Sequence, residues 1–356
     1  MNLNDGLCRL LTEFPATGLI ANDHSEKRMA DGLLLSYSKG TGDQAWTVSL
    51  YAALVQAGRD ELVKLPHFQA AATGGLITVL ARLLRLGQID RTVAVQNFGL
   101  STNLYSHDFL NRPPAALRAA AQAAYPHTAV IIRSLNAAHH RDLMDALQQD
   151  GWRFLLTRQI YLTDTIKQIT CRSDSKRDAK LLDDGRYRFR RLSAASADAD
   201  FQAALDFYNG LYLGKYSIGN VRFTHLWLRE TVARDLLALY LMECTANGAA
   251  AGCAGMICEE GRLTTPVLGY DLSLPQNEAL YRRLSAFIVR YCAERNLSQH
   301  WSGGAAGFKK SRGAVPELEY TAVYVRHLPL QRRAVWRLLE KLSNGPYRRL
   351  LEKNGL

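Results

Sequence analysis

The sequence lacks a long hydrophobic run. Its longest unbroken apolar stretch, Leu236 to Met242, is far short of the ~20 residues a membrane-spanning helix needs. No export signal is visible in the opening MNLNDGLCRLL, which has no basic start followed by an apolar stretch and a small-residue cleavage site. These two absences read as a cytoplasmic protein. The six cysteines are Cys8, Cys171, Cys244, Cys253, Cys258 and Cys292. They form no C-x-x-C pair and have no close histidine, which argues against a metal site and against a disulfide framework. Cys244, Cys253 and Cys258 stand in apolar, strand-like text and read as buried, reduced thiols. Acidic residues are in deficit, 33 against 44 Lys and Arg, for a formal charge of +11. That excess suits a polyanionic partner such as RNA, a phosphorylated ligand or acidic lipid, although many basic proteins bind none of these.

What is present is ample core material: 356 residues, 47% of them hydrophobic, enough for two domains or one large one. The first half reads as mixed α/β. Strands are expected at 32–38, 92–98, 129–135 and 157–164, where β-branched residues are flanked by Gly, Pro and polar groups. Helices are expected at 115–124, after Pro113-Pro114, and from about His139 to Asp150. A charge-dense segment follows: Lys167 to Arg191 holds nine Lys or Arg and four Asp and reads as a helix crossing between two domains.

The second half opens with an amphipathic helix carrying Phe201, Leu205 and Tyr208, then a helix over about Thr224 to Arg234. Leu237 to Thr245, the turn dipeptide Asn247-Gly248, Ala249 to Cys258, the turn Glu259-Glu260-Gly261 and Arg262 to Tyr270 read as a three-strand antiparallel meander. The next helix has Ser273 and Gln276 at capping-box spacing with Pro275 in its first turn. Leu280, Leu284, Phe287, Ile288, Tyr291 and Cys292 form its apolar stripe. A short strand at 298–302, a glycine-rich loop, a strand at 319–326 and a closing helix from about Pro329 complete the chain. That last helix carries seven basic residues against Glu340 and Glu352.

Three strings stand out within this order: Leu268-Gly269-Tyr270-Asp271 at the end of the third meander strand, the long helix after Pro275, and SGGAAGFKKSRGAVPELEY from Ser302 to Tyr320. Together they resemble the acyltransferase domain called GNAT. The last string is similar to the C-terminal signature of Fem-type peptidyltransferases and related bacterial acetyltransferases. The resemblance covers about Leu181 to Leu328 and, as a second, degenerate copy, residues 1–165. It implies an α/β (α+β) chain of two GNAT-like domains in tandem, each a mixed, largely antiparallel sheet flanked by helices. The expected division is 1–165, a basic crossing segment 166–195, the acyltransferase domain 196–328 and the basic helix 329–356.

The implied chemistry is amide formation, in which an aminoacyl or acyl group passes from a carrier to the amine of a small molecule or peptide. Such a reaction needs two positioned substrates and a donor aimed at the developing oxyanion. By resemblance, Lys309 of the Phe308-Lys309 pair is that donor, with a surface lysine near a helix start as the alternative. Asp271 is the candidate base beside Tyr270, with a turn-forming aspartate as the alternative. Gly303 and Gly304 offer backbone N–H groups to an anion or form an ordinary tight turn. Lys310 and Arg312 are candidates for the donor or acceptor, or solvated charges. His225 and His300, lone histidines in apolar text, read as core residues.

Acetyl-CoA-dependent relatives place a glycine cradle for pyrophosphate where this chain has Asp271-Leu-Ser-Leu-Pro-Gln-Asn-Glu-Ala. Pro275 removes one N–H there. The resemblance therefore implies aminoacyl-tRNA slightly ahead of acyl-CoA as co-substrate, with no tightly bound cofactor. Lys176, Arg177, Lys180, Arg282, Arg283, Arg332 and Arg333 are candidate phosphate contacts for an RNA, or solvated helix faces. A CoA-dependent N-acetyltransferase and a non-catalytic RNA- or ligand-binding protein are the alternatives.

Overall fold

The computed structural model describes the backbone of residues 2–40, 42–56, 59, 67–165 and 167–354; within these, the side chains of 67–73, 76, 167, 168 and 354 lie outside the description. Ile166, where the crossing segment was expected to begin, and the Lys167 side chain thus fall outside the described residues. The chain divides into two compact units. The first comprises Met1–Leu10, Gln159–Ile218 and Phe223–Glu317, and the second Leu11–Arg158, Gly219–Arg222 and Leu318–Leu356. The first ten residues therefore belong with the meander, and the C-terminal helices belong with the second unit.

The second unit is built on β1 (Glu26–Ala30), β2 (Leu33–Lys39), β3 (Arg91–Val95), β4 (Ala129–Asn136) and the later part of β11 (Val315–Tyr324), in that spatial order. β1, β2 and β3 pair antiparallel, β3 and β4 pair parallel, and β11 returns antiparallel to β4. One core joins this sheet to the helices Pro114–Ala124 and Ala137–Asp150 through Leu117, Ala121, Leu143 and Leu147. A second core, on the alternate side chains Ala94, Ala129, Ile131 and Val323, holds Leu84, Trp336 and Leu339. Strands buried on both faces read as continuous apolar runs, which is why β3 and β4 were legible and the exposed, charged β1 was not.

The first unit contains the meander. β6 (Tyr187–Arg191), β7 (Ala238–Cys244), β8 (Ala250–Glu259) and β9 (Arg262–Tyr270) run antiparallel in order. β10 (Ser298–His300) then pairs parallel with β9 and antiparallel with the end of β5 (Arg153–Thr163). The helix Leu280–Arg295 buries Leu280, Leu284, Ile288 and Cys292 against Met242, Ala254, Met256, Leu263 and Leu268. Each such aliphatic side chain is worth roughly 1.5–3 kcal/mol on full burial, and Phe287 extends the stripe by stacking on Phe189 at 4.0 Å. Gly269 is required by packing: a Cβ there would lie 2.3 Å from the Phe207 carbonyl carbon on the helix Asp198–Asn209.

Several expectations change. The basic crossing segment is not one helix. It forms Lys167–Thr170, Ser173–Ala179 and a single 3-10 turn, Lys180–Leu182, before β6 begins. The capping box does not form: Ser273 bonds to Asp271, residues Gln276–Glu278 make a 3-10 turn, and the helix starts at Leu280 after a left-handed Ala279. Cys253 and Cys292 are buried, their thiols pushed up to about 12 by burial, but Cys244 is half-buried and Cys258 exposed. Among the described residues no helix is long and apolar enough to cross a membrane.

Candidate active site

β10 is only three residues long, so β9 continues from Thr265 to Tyr270 past its last partner on that side, Thr264 opposite His300. After His300 the chain turns away with β5: Trp301 N donates to Tyr161 O at 2.9 Å and Tyr161 N to Ser302 O at 3.2 Å. The two parallel strands therefore splay, and the expected site residues lie on either side of the gap.

On the β10 side, three of four consecutive loop positions are left-handed: Ser302 (φ 59), Gly304 (φ 75) and Ala305 (φ 48). This conformation costs a non-glycine residue about 1–2 kcal/mol. The tight bend turns three backbone carbonyls toward the helix Ala306–Ser311. Lys309, only 4% exposed, donates through Nζ to Trp301 O at 2.6 Å, Gly303 O at 2.7 Å and Ser302 O at 3.3 Å. Its ammonium also faces the Tyr161 ring at 5.5 Å. An ammonium has three N–H donors; all three are used here, so Lys309 holds the loop shut. The surface-lysine alternative is overturned by its burial. Gly303 enters this site through its carbonyl, where an N–H had been expected to act, and Gly304 through its backbone angle.

On the β9 side, Tyr270, Asp271, Lys215, Ala279, Tyr281 and Arg282 line a cleft of about 280 Å³. Asp271 accepts from Ser273 N (2.9 Å) and Ser273 Oγ (2.6 Å) through the same oxygen, Oδ1. Burial raises the Tyr270 hydroxyl and pushes Tyr281 up to about 12, so both stay protonated at neutral pH and can donate hydrogen bonds. The N-terminus of the helix Leu280–Arg295 opens here with no side-chain cap, which leaves N–H groups of its first turn available to an anion. An aromatic series, Tyr270 to Tyr281 (6.2 Å) to Phe308 (4.7 Å), joins this cleft to the helix that carries Lys309.

The expected cations sort differently from their sequence reading. Arg312, with a side chain 10% exposed, lies 3.4 Å over Phe308 and bonds through Nε to Asp178 Oδ2 at 2.7 Å. Arg282 takes the other oxygen, Oδ1, at 2.7 Å. Arg283 is 1% exposed and bonded to Asp184 and to the Glu278 and Leu181 carbonyls. Arg312 and Arg283 are therefore internal ties, not groups that reach a phosphate. Arg282 remains partly exposed on the cleft. Lys176, Arg177, Lys180 and Lys310 are exposed, with Arg177 near Asp174 at 3.6 Å. Arg332 and Arg333 lie half-buried on the helix Leu330–Leu342 of the second unit, Arg332 donating to His127 O.

Tyr281, Lys215, Trp301 and the buried Asp178 were missed from sequence. Asp178 is separated from Arg312 by 134 positions, and no local pattern signals such a pair. His300 is buried and accepts from Ser302 N at 3.1 Å, the core role expected of it.

No protein-family model matches the chain, and no curated protein matches it. Solved structures do. The C-terminal domain of a putative lysylphosphatidylglycerol synthetase from Agrobacterium fabrum matches with a TM-score of 0.51 at 10% identity, over 96% of this chain and 97% of that one. FemX matches at 0.48 and 9% identity over 70% and 83%. L-PGS from Bacillus licheniformis matches at 0.46 and 14% identity over 64% and 76%. At these identities the likeness is one of fold. With its antiparallel meander, long helix and splayed parallel strands, the chain has the GNAT-like α/β fold that its motifs resemble.

Proposed function

We propose that this protein is an acyltransferase that forms an amide bond, taking an aminoacyl or acyl group from a carrier and passing it to an amine of a small molecule or peptide. The observation that carries the reading is the splay between β9 and β10, bordered by the Lys309 loop on one side and by the Tyr270–Asp271 cleft on the other. The free edge of β9 offers unpaired backbone groups to an extended acyl segment. The uncapped helix N-terminus, with Lys215 and Arg282 beside it, suits the phosphate of a carrier.

In this reading Asp271 takes the proton of the attacking amine through Oδ2, since Ser273 occupies Oδ1. Tyr270 donates a hydrogen bond. Lys309 positions the loop, and its longest bond, to Ser302 O at 3.3 Å, is the one it exchanges for the oxyanion of the tetrahedral intermediate. Aminoacyl-tRNA is slightly favoured over acyl-CoA. No glycine lies between Asp271 and Ala279, the stretch in which the glycine cradle of CoA-dependent relatives would fall. Lys176, Arg177 and Lys180 supply exposed cations for an RNA backbone.

A second reading, a non-catalytic RNA- or ligand-binding protein on the same fold, is favoured by one observation: every donor of Lys309 is already engaged. Incubating the protein with charged tRNAs, acyl-CoAs and mixed amines, with products followed by mass spectrometry, separates the readings. Enzyme-dependent amide product supports transfer and names the carrier. Neither carrier losing its acyl group, with RNA binding retained, selects the second reading.

A further inference from the structure

The helix Leu330–Leu342 turns Trp336 and Leu339 into the second unit's core, and Trp336 Nε1 donates to Gly87 O at 3.1 Å. At about 100° per residue, the opposite side presents Leu330, Ala334, Leu338 and Lys341, with Arg337 and Leu342 at its edges. Leu330, Leu338 and Leu342 are 72%, 41% and 40% exposed. Leu86, 73% exposed, adjoins this helix, because the next residue, Gly87, packs so closely on Val335 that a Cβ would come within 2.7 Å of it. On the final helix, Arg348–Asn354, Leu350 is 54% exposed.

Cations accompany these leucines. Arg337, Lys341 and Arg349 are exposed, as is Arg82 one turn before Leu86. The two acids of the C-terminal segment are already neutralised, Glu340 by Arg153 and Glu352 by Arg348. Isolated surface leucines need no explanation, but leucines grouped on one helix side with basic residues around them are the pattern of an interfacial helix. A second copy of the chain would set basic residues against basic residues. An RNA would satisfy the cations through its phosphates yet leave the leucines in water. An anionic bilayer satisfies both at once.

We propose that this C-terminal face docks the protein on an anionic membrane surface, with the leucines entering the boundary between headgroups and acyl chains and the cations meeting lipid phosphates. The proposal is independent of the transfer reaction. It is tested by cosedimenting the whole protein with vesicles of phosphatidylcholine alone and of phosphatidylcholine with phosphatidylglycerol. Binding is expected only with phosphatidylglycerol and weakens as salt rises. Leu330→Ser with Leu338→Ser lowers the partition about tenfold or more, and each of Arg337→Ala and Lys341→Ala lowers it about fivefold. All these side chains are solvent-exposed, so the melting temperature stays unchanged. The proposal is overturned by equal or absent binding to both vesicles, by a leucine pair variant that binds as the parent does, or by an oligomer dissolved by the leucine substitutions without any vesicle binding. RNA binding lost in the Arg337/Lys341 variants but not in the leucine pair, again without vesicle binding, assigns the face to RNA and likewise overturns it.

Discussion

Replacing Asp178 with Asn tests how the helix that carries Lys309 is held. The Asp178 side chain is 3% exposed and is shared by Arg312, 10% exposed, and Arg282, 36% exposed. Removing one partner of a buried ion pair costs about 3–5 kcal/mol, because the other charge is stranded away from water. Arg282 lies more than a third in solvent, where pairs are worth roughly 0–1 kcal/mol, and it can turn outward. The stranded charge is Arg312, so Asp178→Asn should lose about 3 kcal/mol, the low end of that range. The assay is urea unfolding followed by Trp fluorescence, together with hydrogen exchange of the 306–311 amides, which reports this unit separately. Asp178→Leu combined with Arg312→Met replaces the pair by apolar groups and should recover most of the loss. A cost below about 0.5 kcal/mol for Asp178→Asn, within the range of ordinary surface substitutions, would refute the reasoning. So would a double variant no more stable than the single one.

Gly269→Ala places a methyl group 2.3 Å from the Phe207 carbonyl carbon. It should destabilise by about 3 kcal/mol, the upper range for overpacking, seen as a lowered melting temperature. Lys309→Met removes the ammonium that ties three carbonyls and should lower transfer by about 10²–10³, the loss typical of one oxyanion donor, in a single-turnover assay on protein whose circular dichroism is unchanged. Hydrogen bonds from Arg283 hold the Asp184 carboxyl below its ordinary 3.8. Its folded-state pKa is thus depressed, and the stability it contributes is present above 3.8 and lost as pH falls toward the lower folded value. Asp184→Asn lacks that contribution throughout, so urea midpoints of the two proteins should differ at neutral pH and converge in acid.

The parts of the fold legible in sequence are those set by local periodicity or turn chemistry. Leu280, Leu284, Ile288 and Cys292 recur at helical spacing and all are buried. Asn247-Gly248 closes β7 onto β8, with Gly248 N donating to Cys244 O at 2.8 Å. The charge-dense segment was misread because its meaning is non-local: Asp178 and Asp184 serve Arg312 and Arg283, 134 and 99 positions away. Left-handed Ala279, Ser302 and Ala305 were also invisible, since no glycine marks them. Lys309 was singled out by its motif, but the carbonyls that receive its three protons depend on those unmarked backbone angles. Its role as a loop tie was therefore not readable from the string Phe308-Lys309-Lys310.

The central claim, acyl transfer at the splay of β9 and β10, is tested most directly by single-turnover discharge of labelled aminoacyl-tRNA and labelled acyl-CoA in the presence of an amine pool, with the parent protein and Lys309→Met side by side. The parent is expected to discharge the aminoacyl-tRNA into an amide product, and Lys309→Met to do so at least about a hundredfold more slowly. Discharge of neither carrier, or equal discharge by both proteins, would contradict it.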